Sequence, residues 1–190
     1  MFSGWFMAFK SQLVNFQYSL SDLNRHIYLK NHLIVPVELP LNSDFNVHKL
    51  LAICLLNDQY EEAQSKFLPK YNVLAPDIIY ENLTDPMNVP LWVYSHPLNK
   101  QDRKKIMHKM ARPVCICSTK DLEGTELIGD IELSNNLSKQ LTQILAKSLN
   151  WYVVVEGDRI SVTTNEDYIT GKVIINKTLY SVDRKYKQIA

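Results

Sequence analysis

The apolar residues of the first stretch, Trp5, Phe6, Phe9, Leu13, Phe16, Leu20 and Leu23, recur at intervals of three and four. That spacing predicts an amphipathic helix over residues 5–23, with its stripe turned to a core. Trp5, Phe6, Phe9 and Phe16 are also the candidates for docking a partner. A membrane-surface role is disfavoured because Lys10 is the only cation on the polar side. Residues 33–41 read as an extended edge strand, since Pro36 and Pro40 remove ladder donors. Ser43 and Asp44 predict the cap of a helix over about 45–67 that ends before Pro69. Residues 70–90 carry three prolines and no sustained period, and read as a linker or long loop with a short strand near 77–80.

From Leu91 the pattern tightens. Leu91–Tyr94 reads as a strand and Asn99 caps a helix through about Arg112. Pro113 stops that helix, and Val114–Ser118 reads as a second strand. A short strand at Asp130–Leu133 follows. Then comes a helix capped by Ser134 or Asn135, with Leu137, Leu141, Ile144, Leu145 and Leu149 on one face. Trp151–Val155 and Arg159–Thr164 flank Glu156-Gly157-Asp158 as a hairpin, and a last strand or hairpin covers 172–182. The predicted class is α+β: a mainly helical N-terminal region over 1–88, then a small mixed-sheet part over 89–190 ordered β-α-β and α-β-β. The stretch Leu137–Thr164 resembles small αββ modules of pilus and secretion-system proteins and of some nucleic-acid-binding folds, a likeness of layout that implies no site residue.

Composition narrows the class without naming a function. The 190 residues are 46% hydrophobic and 22% charged, with only 5 Gly and 3 Cys. Disordered, collagen-like and disulfide-stapled chains are thereby excluded. No run is apolar enough for a transmembrane helix. The first residues lack the basic region and cleavage site of a signal peptide. The three cysteines, Cys54, Cys115 and Cys117, read as reduced apolar residues, and the expected compartment is cytoplasmic. Lysine far exceeds arginine, a bias of AT-rich genomes such as those of many bacteria and phages.

Charge changes the picture locally. The net charge of +1 conceals opposing blocks: residues 99–112 hold six basic residues and one acidic, between two segments that are each net acidic. Lys100, Arg103, Lys104, Lys105, His108, Lys109 and Arg112 form the candidate binding patch. Ile106, Met107, Met110 and Ala111 are assigned to the buried side of the same helix.

Catalytic chemistry finds little support. The five histidines, at 26, 32, 48, 96 and 108, show no metal-ligand spacing, so no metal site and no cofactor is expected. Isolated glycines make no phosphate loop. A Cys115 or Cys117 thiol beside His96 or His108, and the carboxylate pairs Asp130/Glu132 and Glu166/Asp167, are the remaining conceivable arrangements. The reading is a non-enzymatic interaction or assembly component, accessory to a bacterial or phage machine, whose partner is another protein or a second copy. The alternative is a nucleic-acid-binding protein acting through helix 99–112.

Overall fold

The computed structural model describes residues 11–56, 63–67, 74–82, 89–164 and 167–175. In chain order the elements are β1 (Ser11–Asp22), β2 (Ile27–Glu38), α1 (Asp44–Leu56), β3 (Ala63–Phe67), β4 (Ile78–Asn82), β5 (Leu91–Tyr94), α2 (Lys100–His108), β6 (Arg112–Ser118), β7 (Ile131–Leu133), α3 (Asn135–Leu145), β8 (Asn150–Glu156), β9 (Arg159–Thr163) and β10 (Tyr168–Ile175). Among the described residues the strands form one ten-stranded mixed sheet in the order β2-β1-β8-β9-β10-β7-β6-β5-β4-β3. Three neighbouring pairs are parallel, β1 with β8, β5 with β6 and β6 with β7.

This corrects the expectation of a mainly helical N-terminal region. The helix predicted over 5–23 is instead strand β1 from Ser11, and residues 1–10 lie outside the described residues. A second period explains the difference. In Val14-Asn15-Phe16-Gln17-Tyr18-Ser19-Leu20 the apolar residues alternate strictly, and Val14, Phe16, Tyr18 and Leu20 are all buried. The three-and-four spacing of Phe16 and Leu20 passes over Val14 and Tyr18, which only the alternating period places on the buried face. The helix predicted over 45–67 is likewise cut short. It ends at Leu56, and Ala63–Phe67 pairs with β4 as a strand.

Other expectations hold locally. The Pro36-containing strand is at the sheet edge. Ser43 caps α1 by accepting from the Asn46 backbone N–H at 3.2 Å. Asn99 caps α2 through the Asp102 N–H at 2.8 Å, and Ser134 caps α3.

The main core lies on one face of the sheet. There α1, apolar on nearly every side, and the Leu137/Leu141/Ile144/Leu145 stripe of α3 pack against Phe16, Val35, Trp151, Val153 and Ile169. Phe16 stacks on Tyr18 and meets Trp151 edge-on at 5.3 Å. Gly171 lets α3 approach β10: a Cβ there would lie 2.5 Å from Leu137 Cβ. The buried Asp22 carboxylate accepts from Arg25 Nε at 2.7 Å, while Arg25 Nη2 donates to the Leu55 carbonyl at 2.8 Å. That guanidinium satisfies the C-terminal end of α1 and ties it to the β1–β2 turn. Helix α2 packs on the opposite face. It covers a second, smaller cluster of Tyr94, Leu98, Ile106, Ala111 and Cys115.

Candidate functional site

Helix α2 joins two parallel strands, β5 and β6, and so crosses the sheet face. It rests there on one anchor. Arg103 Nη1 and Nη2 donate to Asp130 Oδ2 and Oδ1 at 2.7 and 2.9 Å, a two-pronged ion pair. Asp130 Oδ2 also accepts the Cys115 backbone N–H at 2.8 Å. The pair joins α2 to β6 and to the start of β7. Arg103 is therefore a structural residue of the patch, not a free cation.

The other patch residues divide by position. Lys105 pairs with Asp102 at 3.0 Å on the same helix, in water, where such pairs contribute little. Arg112 is half-buried at the start of β6. Lys100, Lys104, His108 and Lys109 are exposed on the outward side of α2.

Two assignments to the buried side are overturned. Ile106 and Ala111 are buried, but Met107 is 61% and Met110 73% exposed. The helix has nine residues, of which Ile106 is the buried one, and Ala111 joins it in the cluster from beyond the helix end. Met110 has φ +57°, a left-handed conformation that costs a non-glycine residue about 1–2 kcal/mol. It follows the C-cap Lys109, a place where glycine is usual.

Of the docking candidates in the first stretch, Phe16 is fully buried in the core and presents no surface. Trp5, Phe6 and Phe9 lie outside the described residues. The thiol arrangements fail on burial. Cys115 and Cys117 are buried, and desolvation pushes both thiols up to about 12, far from the range of a nucleophilic thiolate. Asp130 is engaged with Arg103, and the Glu166 of the second carboxylate pair lies outside the described residues.

A polar cluster that the sequence did not reveal sits at the carboxyl ends of the parallel strands β5, β6 and β7. His48 of α1 places Nδ1 3.1 Å from the Ser95 carbonyl and Nε2 3.5 Å from Ser138 Oγ. Ser138 Oγ lies 3.4 Å from Asp44 Oδ1. Ser118 Oγ donates to Asn135 Oδ1 at 2.6 Å. Strand ends of this kind often form sites. Here, however, His48, Ser95 and Ser138 are buried, and the Ser138–His48 contact is at the limit of a hydrogen bond. Burial lowers the His48 pKa, against smaller opposing effects of the Ser95 carbonyl, Asp121 and Asp44. The ring is thus neutral and structural. Its signal was invisible because the four elements that build the cluster are distant in sequence.

Among the described residues, no group of histidine, cysteine and carboxylate side chains is arranged to hold a metal ion. No helix of the described residues is long and apolar enough to cross a membrane.

No protein-family model and no curated protein matches the sequence. Solved structures do resemble the fold. The YaeQ protein from Xanthomonas axonopodis pv. citri superposes with a TM-score of 0.65 at 17% identity, covering 87% of this chain and 98% of that one. The YaeQ protein from Pseudomonas syringae superposes with a TM-score of 0.58 at 14% identity, covering 86% and 94%. At these identities the likeness establishes a shared fold, and it spans nearly the whole of both relatives.

Proposed function

We propose that the chain is a non-enzymatic docking component that binds an acidic, partly apolar protein surface through the outward side of α2. The observation that carries this reading is the exposure of Met107 and Met110 among Lys104, His108 and Lys109. Flexible thioether side chains adapt to varied partner surfaces, and the flanking cations select for acidic ones. A patch made only for phosphate backbone has no use for two exposed methionines. The strained backbone at Met110 supports the same reading, since strain held at an exposed residue often marks function. A cytoplasmic setting, as accessory to a bacterial or phage assembly, accords with three free buried thiols.

The test is a titration of the full chain with an acidic amphipathic helical peptide and, separately, with duplex DNA. At about 0.15 M salt the peptide is expected to bind, and Lys104→Glu with Lys109→Glu to abolish that binding. DNA binding at the same salt with no peptide binding overturns the proposal in favour of nucleic acid.

A further inference from the structure

Strand β2 ends the sheet, so among the described residues one of its long edges pairs with no strand. The backbone groups on that edge belong to its even-numbered residues. Gln17 of β1 donates its N–H to the Leu149 carbonyl, on the side of β8. Its register partner His32 therefore turns its own N–H and carbonyl away from β1. Alternation then assigns Tyr28, Lys30, His32, Ile34, Pro36 and Glu38 to the outer edge.

Helix α1 closes the far part of this edge. Lys49 Nζ donates to the Pro36 carbonyl at 2.7 Å, and the Asn46 amide accepts the Glu38 N–H at 3.0 Å and donates to the Glu38 carbonyl at 2.6 Å. Pro36 itself has no N–H. The part left open runs from Tyr28 to Ile34, with the β1–β2 turn at one end and the proline at the other. Within it the His32 N–H is met locally, by Asn31 Oδ1 at 2.8 Å.

The open segment has the same character read in either direction. Around Asn31 stand Lys30 and His32, then Leu29 and Leu33, then Tyr28 and Ile34. Leu29 and Leu33 are half-buried at the rim of the main core. Tyr28 and Ile34 are 65% and 62% exposed on the opposite face. That face also holds Tyr152 and Tyr168, in register with Lys30.

We infer that β2 pairs with β2 of a second copy of this chain, antiparallel and centred on Asn31, so that the sheet continues across a two-fold axis. An antiparallel self-pairing that uses every open group from Tyr28 to Ile34 has its centre at Asn31, so the backbone alone selects this register. The side chains select it independently. Leu29 meets the partner's Leu33 and Tyr28 meets the partner's Ile34, apolar against apolar on both faces. The two Asn31 amides meet on the axis, each with a donor and an acceptor for the other. Lys30, the only lysine, arginine or carboxylate residue of the segment, faces His32. Centring the pair on Lys30 would set like charges together. Centring it on His32 would set Tyr28 against Pro36 and Lys30 against Ile34. An unrelated strand has no reason to match this symmetry. The paired strip is roughly 23 Å long. It is smaller than a standard interface, so the dimer dissociates in the range of about 1–100 μM. This edge is separate from the outward side of α2, and the inference does not depend on the docking reading.

The experiment is analytical ultracentrifugation of the full chain up to about 200 μM, with cysteine cross-linking to read the register. A monomer–dimer equilibrium is expected. Lys30→Pro removes an outward N–H that β1 does not use, and should weaken the dimer at least about tenfold with the fold intact by circular dichroism. His32→Glu sets a carboxylate opposite the partner's Lys30 and should tighten it. Asn31→Cys brings two thiols together in a non-hydrogen-bonded pair with Cα atoms about 4.5 Å apart, within reach of a disulfide. It should cross-link under copper-phenanthroline oxidation. Tyr28→Cys holds its two thiols about 20 Å apart and should not. The native cysteines are buried and do not compete. The inference is overturned by a monomer at every concentration, by a dimer of undiminished affinity in Lys30→Pro, or by cross-linking as fast through Tyr28→Cys as through Asn31→Cys.

Discussion

Met110 combines two costs that a folding argument alone would remove: a left-handed backbone and an exposed apolar side chain. Met110→Gly should therefore raise stability by about 0.5–1 kcal/mol, read as a higher urea midpoint, while weakening peptide binding. Asp130 acts in the opposite sense. It holds both Arg103 and the Cys115 N–H, so Asp130→Ala leaves a partly buried guanidinium without its carboxylate and a buried amide without its acceptor. A loss of about 3 kcal/mol is expected by denaturant unfolding. His48 sets a pH dependence. Its folded pKa is depressed below the ordinary 6.5, chiefly by burial. The unfolded chain therefore binds the proton more readily, and the stabilisation present above that value is lost as pH falls through it. The melting temperature should drop between about pH 7 and about pH 5, and less so in His48→Gln. None of these roles was legible from residue identity. Met107 and Met110 matched a helical stripe with Ile106, and nothing in the sequence showed that Ile106 alone of the three is buried.

Elements were legible where one period stood alone. In α3 the leucines at 137, 141 and 145 have no competing alternation, and the helix lies as its stripe and its Ser134 cap require. Leu141→Ala should cost about 2–5 kcal/mol in thermal or urea unfolding, and Gly171→Ala about 1–3 kcal/mol by driving α3 off β10. The short strands β5 and β6 were marked by Pro90, Pro97 and Pro113 around apolar runs. In β1 two periods overlap in one apolar segment, and the longer one points to a helix. Only pairing with β2 and β8, the latter more than a hundred residues away, decides between them.

At the scale of the molecule, the sheet divides the surface into unlike halves. One face is closed by α1 and α3 over the main core. The other carries the small cluster under α2 and, beyond it, an open tyrosine-bearing field. Cations stand outward on α2, and the Asp130 carboxylate lies beneath it, paired with Arg103. The central claim is that α2 serves as a docking helix through its methionines as well as its charge. The most direct measurement is acidic-peptide binding by the double variant Met107→Ser, Met110→Ser, with its melting curve as control. The account predicts at least about a tenfold loss of affinity with no loss of stability, because both side chains face solvent. Unchanged peptide affinity in that variant, with binding still abolished by Lys104→Glu and Lys109→Glu, would contradict it and leave a surface of charge alone.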